Sequence, residues 1–149
     1  MDLDQILDMK SGKELDSLVH KERYGYDLDI RHVHVCPSCG WETENLECSS
    51  RCQVCWANGE RVTMDDLEEV YDFHPSTNMN TAWELAKKEG IAVIPQSSGD
   101  GFRWYACDIK SVHYRGNEIA LNTYNDSSIS CDTAEEAISK CYLLLKMSQ

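Results

Sequence analysis

A chain of 149 residues accommodates one domain with an inserted module and is long enough to bury a core. Its formal charge of −12, from 26 acidic against 14 basic residues, argues against a phosphate-binding role, because affinity for nucleic acid rests on Lys and Arg neutralising backbone phosphates. Eight cysteines would suit a secreted disulfide scaffold, but the opening Met-Asp-Leu-Asp-Gln lacks a basic, apolar signal sequence and no apolar run approaches the roughly 20 residues of a bilayer span. A soluble protein of the reducing cytoplasm is expected.

Leu3, Ile6 and Leu7 recur at helical spacing among acids and predict a short helix within residues 1 to 9. Leu15, Leu18 and Val19 follow Gly12 and predict a longer helix ending near Tyr24-Gly25-Tyr26. Asp27 to Arg31 reads as a link. Apolar periodicity then lapses until about Arg61, which delimits an insertion at 31–60 within a single domain formed by 1–30 and 61–149.

The insertion carries two Cys-x-x-Cys pairs, Cys36/Cys39 and Cys52/Cys55, separated by twelve residues. Folded back on each other, these pairs surround one ion with four thiolates at the tetrahedral corners that zinc accepts, so the spacing predicts a closed structural Zn2+ site of the ribbon or knuckle type. Val33 and Val35, alternating with His32 and His34, predict a strand leading into the first turn, where Gly40 supplies a permissive backbone. Cys48, His32 and His34 are alternative ligands, each less well matched than the four paired cysteines. Trp41 and Trp56 flank the pairs and either pack against the knuckles or present a contact surface. Between Arg31 and Gly59 only two arginines oppose Glu42, Glu44 and Glu47, and four thiolates on a divalent ion add about two more negative charges. A DNA-binding ribbon is therefore disfavoured.

Beyond the insertion, Thr63-Met64-Asp65-Asp66 ahead of Leu67 and Val70 predicts a capped helix to about Tyr71. Its acids, Asp65, Asp66, Glu68, Glu69 and Asp72, read as a solvated face, since the glycine and loop of a calcium site are missing. Phe73-His74-Pro75 ends that element, and Ser76 or Thr77 is expected to cap a helix through Gly90 with Met79, Ala82, Trp83 and Ala86 as its apolar stripe and Trp83 as core anchor. Ile91 to Ile94 reads as a short strand ended by Pro95, with a turn over Gln96 to Gly101. Phe102, Trp104 and Ala106, then Ile119, Leu121 and Thr123 beyond a turn at Arg115-Gly116-Asn117, alternate as hairpin strands. Thr133, with Glu136 three residues on, caps a last helix to about Met147, whose stripe of Ala134, Ala137, Ile138, Cys141, Leu144 and Leu145 buries Cys141. Cys107 and Cys131 likewise read as structural thiols.

These elements predict an α+β fold, an antiparallel sheet of three or four strands covered by helices in an α-β-α sandwich, with the zinc module inserted. The segment Met9 to Tyr26 (MKSGKELDSLVHKERYGY), Pro75-Ser76-Thr77-Asn78 with Ala82-Trp83-Glu84-Leu85, Phe102-Arg103-Trp104-Tyr105-Ala106 and the Thr133 to Ile138 helix start together resemble the phage alpha-beta-alpha sandwich domain family, small proteins of phages and prophages of Gram-positive bacteria. The likeness covers most of the chain outside the insertion. It implies a helix-sheet-helix sandwich and a phage or prophage origin in a bacterial host cell, and no reaction. The four-cysteine insertion departs from the family pattern, as does Asn78 where an acid is usual.

No catalytic constellation emerges. Four cysteines leave zinc no open position, and His74, Ser76 and His113 lack a catalytic spacing. The expected function is a non-enzymatic accessory protein that binds a host or phage protein through the metal module, in an oligomeric state the sequence does not specify. The alternatives are capture of a small anionic ligand such as a nucleotide, through helix amides after Pro75 with Ser76, Thr77, Arg103, His113 and Arg115, and a DNA-binding regulator.

Overall fold

A computed structural model describes residues 2–46, 50–99, 101–116, 118–121 and 128–149. In chain order the elements are α1 (Leu3–Asp8), α2 (Lys13–Tyr24), β1 (Arg31–Val35), β2 (Glu42–Thr43), α3 (Gln53–Ala57), β3 (Glu68–Val70), α4 (Met79–Glu89), β4 (Ile91–Ser98), β5 (Gly101–Asp108), β6 (Val112–Arg115), β7 (Glu118–Leu121), β8 (Ile129–Cys131) and α5 (Ala134–Met147). The fold is α+β, and it divides into two compact units, residues 1–28 with 73–149, and residues 29–72. The second unit reaches Asp72, past the boundary expected at residue 60, because β3 pairs with β1.

In the larger unit, β4, β5 and β8 form an antiparallel sheet in that order, with Ile94 opposite Tyr105 and Trp104 opposite Cys131. α5 lies against this sheet, and α1, α2 and α4 pack on α5. The core follows from the α5 stripe: Ala137, Ile138, Cys141, Leu143 and Leu144 are buried with Ile6, Leu15, Val19, Leu85 and Ala106. Thr133 caps α5 by accepting the Glu136 N–H at 3.3 Å. β6 and β7 form a separate hairpin around Gly116, whose φ of +64° suits glycine. The expected strand position Thr123 lies outside the described residues.

Several local expectations change. α4 is capped by Asn78, whose Oδ1 accepts from the N–H groups of Asn80 and Thr81 at 3.0 and 3.2 Å, and not by Ser76 or Thr77. Trp83 is 54% exposed and is no core anchor, since Ala82, Leu85 and Ala86 supply the buried face of α4. β4 continues through Pro95 to Ser98, because it is an edge strand, where a missing N–H is tolerated. The helix expected over 63–71 is replaced by β3, which places Glu68 and Glu69 opposite Val33 and His32. Among the described residues no helix is long and apolar enough to cross a membrane.

Candidate metal centre

β1 is the central strand of the smaller unit, paired antiparallel with β2 on one side and β3 on the other. It delivers Cys36 into a tight turn in which the Gly40 N–H donates to the Cys36 carbonyl at 2.9 Å and the Cys36 N–H donates to the Trp41 carbonyl at 2.9 Å. Gly40 has φ +73°, the left-handed conformation the turn requires. The second pair lies on the start of α3, not on a second hairpin. Cys52 is the N-cap of that helix, and its Sγ accepts the Cys55 N–H at 3.4 Å. A short antiparallel bridge between Arg51 and Thr63, with the Cys52 N–H donating to the Val62 carbonyl at 2.8 Å, holds this helix start against the returning chain.

The two segments bring Cys36, Cys39, Cys52 and Cys55 together with all four sulfurs within 4.8 Å of one another. Cys36 and Cys55 are 3.7 Å apart, and Cys39 and Cys52 3.6 Å. A tetrahedral ion with metal–sulfur bonds of about 2.3 Å has sulfur–sulfur edges of about 3.8 Å, so the cluster can hold one metal ion with little adjustment. Cys36, Cys52 and Cys55 are buried, while Cys39 closes the exposed edge. Met64 is buried beside them, with Trp41, Leu46 and Val62 packed around.

The electrostatics of the four thiols are unequal. The N–H of Cys39, followed by that of Ser38, is directed at the Cys36 sulfur and outweighs burial, lowering its pKa to about 7. At Cys39 the Trp41 N–H acts to lower the pKa, but burial and the neighbouring thiols win and the net shift is upward. Burial pushes Cys55 up to about 12, reinforced by the adjoining thiols. One thiolate is thus favoured and further ones are opposed by their proximity. A bound cation removes that opposition, which is why metal binding and deprotonation are coupled.

His34 is turned away from the sulfurs, its Nδ1 2.9 Å from the Asp65 carbonyl, and His32 Nε2 lies 3.3 Å from Glu69. Neither belongs to the cluster. Cys48 lies outside the described residues. Cys107, Cys131 and Cys141 are buried elsewhere, in the larger unit.

Of the donors expected for an anion near Pro75, Ser76, Arg103 and the first amides of α4 are engaged within the chain. The Ser76 N–H donates to Asp16 Oδ1 at 2.8 Å, the Ser76 hydroxyl is shared with the Gly12 backbone, and Asn78 takes the first amides of α4. Asp16 is fully buried. Arg103 reaches the Ser130 carbonyl at 3.2 Å and Asp132 at 3.8 Å. His74 Nδ1 stands 3.9 Å from Asp16 Oδ2, and the Ser76 hydroxyl donates to the Gly12 carbonyl at 3.4 Å.

Sequence reasoning missed the roles of Arg51 and Arg61, whose guanidinium carbons lie 5.2 and 5.7 Å from the centre of the Trp56 ring. Their placement depends on the Arg51–Thr63 bridge, which no spacing rule announces. No family model, curated protein or solved structure matches this chain.

Proposed function

We propose that Cys36, Cys39, Cys52 and Cys55 hold Zn2+ as a closed structural centre, and that the unit it organises is the protein-binding module of a non-enzymatic accessory protein. The observation that carries this reading is the four-sulfur cluster, all within 4.8 Å of one another, two of whose edges, at 3.6 and 3.7 Å, are close to those of a tetrahedral zinc thiolate. Four protein ligands leave no position for an activated water, so the ion supports structure and not hydrolysis. The unit between Asp29 and Asp72 carries ten acidic residues against three arginines, which favours protein partners with complementary positive surface over nucleic acid. The resemblance of the flanking segments to phage alpha-beta-alpha sandwich proteins supports a phage or prophage origin and a site of action in the cytoplasm of the host cell.

The test is affinity capture with the zinc-loaded chain from phage-infected cells, alongside the chain with Cys36 and Cys39 replaced by Ser. A partner retained only by the zinc-loaded form is expected. Equal recovery of the same proteins by both forms contradicts the reading.

A further inference from the structure

Two arginines stand apart from the acidity around them. In the unit 29–72, Arg31 pairs with Glu42 at 3.5 Å. Among the described residues no carboxylate pairs with Arg51 or Arg61, although the unit holds ten acids. Both guanidinium groups are instead set against the ring of Trp56, which is 52% exposed, while Trp41 packs on the metal cluster. Arg51 immediately precedes Cys52 and Trp56 immediately follows Cys55, so the same two cysteines that close the cluster fix both sides of the arrangement. Between them opens a groove of about 470 Å³ lined by Arg51, Cys52, Gln53 and Trp56.

We infer that this groove docks an acidic peptide segment of a protein partner, an Asp or Glu carboxylate pairing with Arg51 and a neighbouring apolar side chain laid against Trp56, with Arg61 adding positive charge beside the same ring. The site deepens the protein-binding reading above and rests on it. Guanidinium groups bind carboxylates through paired N–H donors, and their stacking on indole holds that fork in place before the partner arrives. Trp and Arg side by side in a partly enclosed pocket have the composition that dominates binding energy at protein interfaces. The groove is of the size that receives one or two side chains. A nucleic acid strand fits less well: it carries a charge at every nucleotide, and residues 29–72 hold only three arginines among ten acids. A peptide can place one or two carboxylates at the arginines and neutral or basic residues beyond them.

The experiment uses the full chain loaded with zinc and a displayed library of random short peptides, with binding followed by the indole N–H resonance of Trp56, assigned by its loss in Trp56→Phe. The expected outcome is enrichment of peptides with Asp or Glu beside Leu, Phe or Trp. These should shift the Trp56 resonance, bind more weakly as salt is raised, and lose about tenfold or more in affinity in the R51A/R61A double variant. Should that variant be poorly folded, R51K/R61K keeps the charge but loses the paired donors and should still weaken binding. The inference is overturned if no acidic peptides are selected, or if they bind the arginine variants undiminished. Tighter binding of oligothymidylate, or self-association abolished by the arginine substitutions, also overturns it, assigning the groove to nucleic acid or to a second copy. Zinc content measured on the same samples separates the two failures: absent zinc removes the metal reading, whereas full zinc without acidic-peptide binding removes this site alone.

Discussion

Removing the metal with a chelator should unfold residues 29–72 and leave the other unit intact. Among the described residues, the buried set of the smaller unit consists of three of the four cysteines, Val33 and Met64. Full burial of one such side chain is worth about 1.5–3 kcal/mol, whereas structural zinc in small modules contributes about 10–16 kcal/mol at neutral pH. Loss of the ion therefore removes at least about twice what Val33 and Met64 together supply, and Trp41, Leu46 and Val62, only partly buried, do not make up the difference. The larger unit keeps a core running from Ile6 and Leu15 through Leu85 to Ile138 and Leu143 that contains no metal ligand. Hydrogen exchange by mass spectrometry reads both units in one sample. Amides of Arg31–Val35 and Gln53–Ala57, with that of Asp65, which donates to the Val35 carbonyl at 2.9 Å, should lose protection on chelation. Those of Ala134–Met147 should keep theirs. Unchanged protection at Arg31–Val35 in protein shown to be metal-free would refute the reasoning.

Other expected outcomes concern the larger unit. Lys140 is 4% exposed and donates to Glu136 Oε1 and the Leu7 carbonyl, each at 2.8 Å; Glu136→Leu strands this cation and should cost about 3 kcal/mol or more in a denaturant titration. Lys140→Met should cost less, since Glu136 is more exposed and keeps Ser11 at 3.0 Å; equal costs would count against a buried cation. Burial raises Cys131 from 9.0 to about 11 and Cys141 from 9.0 to about 12, so the native state holds these protons after the unfolded chain has released them. Their contribution is complete below about pH 9 and declines as pH rises to about 11 and 12, so thermal stability should fall with alkaline pH across that window. Cys141→Ala and Cys131→Ala should flatten that slope. Gly90→Ala, at φ +69° and with a new Cβ meeting Ile109 Cγ2 at 3.4 Å, should lower stability by about 1 kcal/mol or more, read from the shift in melting temperature.

The four-cysteine cluster is legible in sequence because a Cys-x-x-Cys pair fixes its own turn, and two such pairs constrain each other whatever surrounds them. α5 is legible for a similar reason: the Thr133 cap and the Ala137, Ile138, Cys141, Leu144 spacing depend on neighbours within one or two turns. Where long-range pairing decides, local pattern misleads. Glu68 and Glu69 look like a helical surface, yet backbone hydrogen bonding to β1 makes them a strand, and only Met64 from that stretch enters a core. Trp83 looks like an anchor by size, but the small residues Ala82 and Ala86 let α4 approach α5 closely and leave the indole outside. Pro95 looks like a stop because the edge position of β4 appears only once the sheet order is known. The Arg51–Trp56–Arg61 arrangement was hidden for the same reason, being assembled across the Arg51–Thr63 bridge.

X-ray absorption at the zinc edge on protein purified without added metal tests the central claim most directly. One zinc per chain with four sulfur neighbours at about 2.3 Å and no lighter atom in the first coordination sphere is the predicted result. Absence of zinc, or a nitrogen or oxygen neighbour in place of one of the sulfurs of Cys36, Cys39, Cys52 and Cys55, would contradict it.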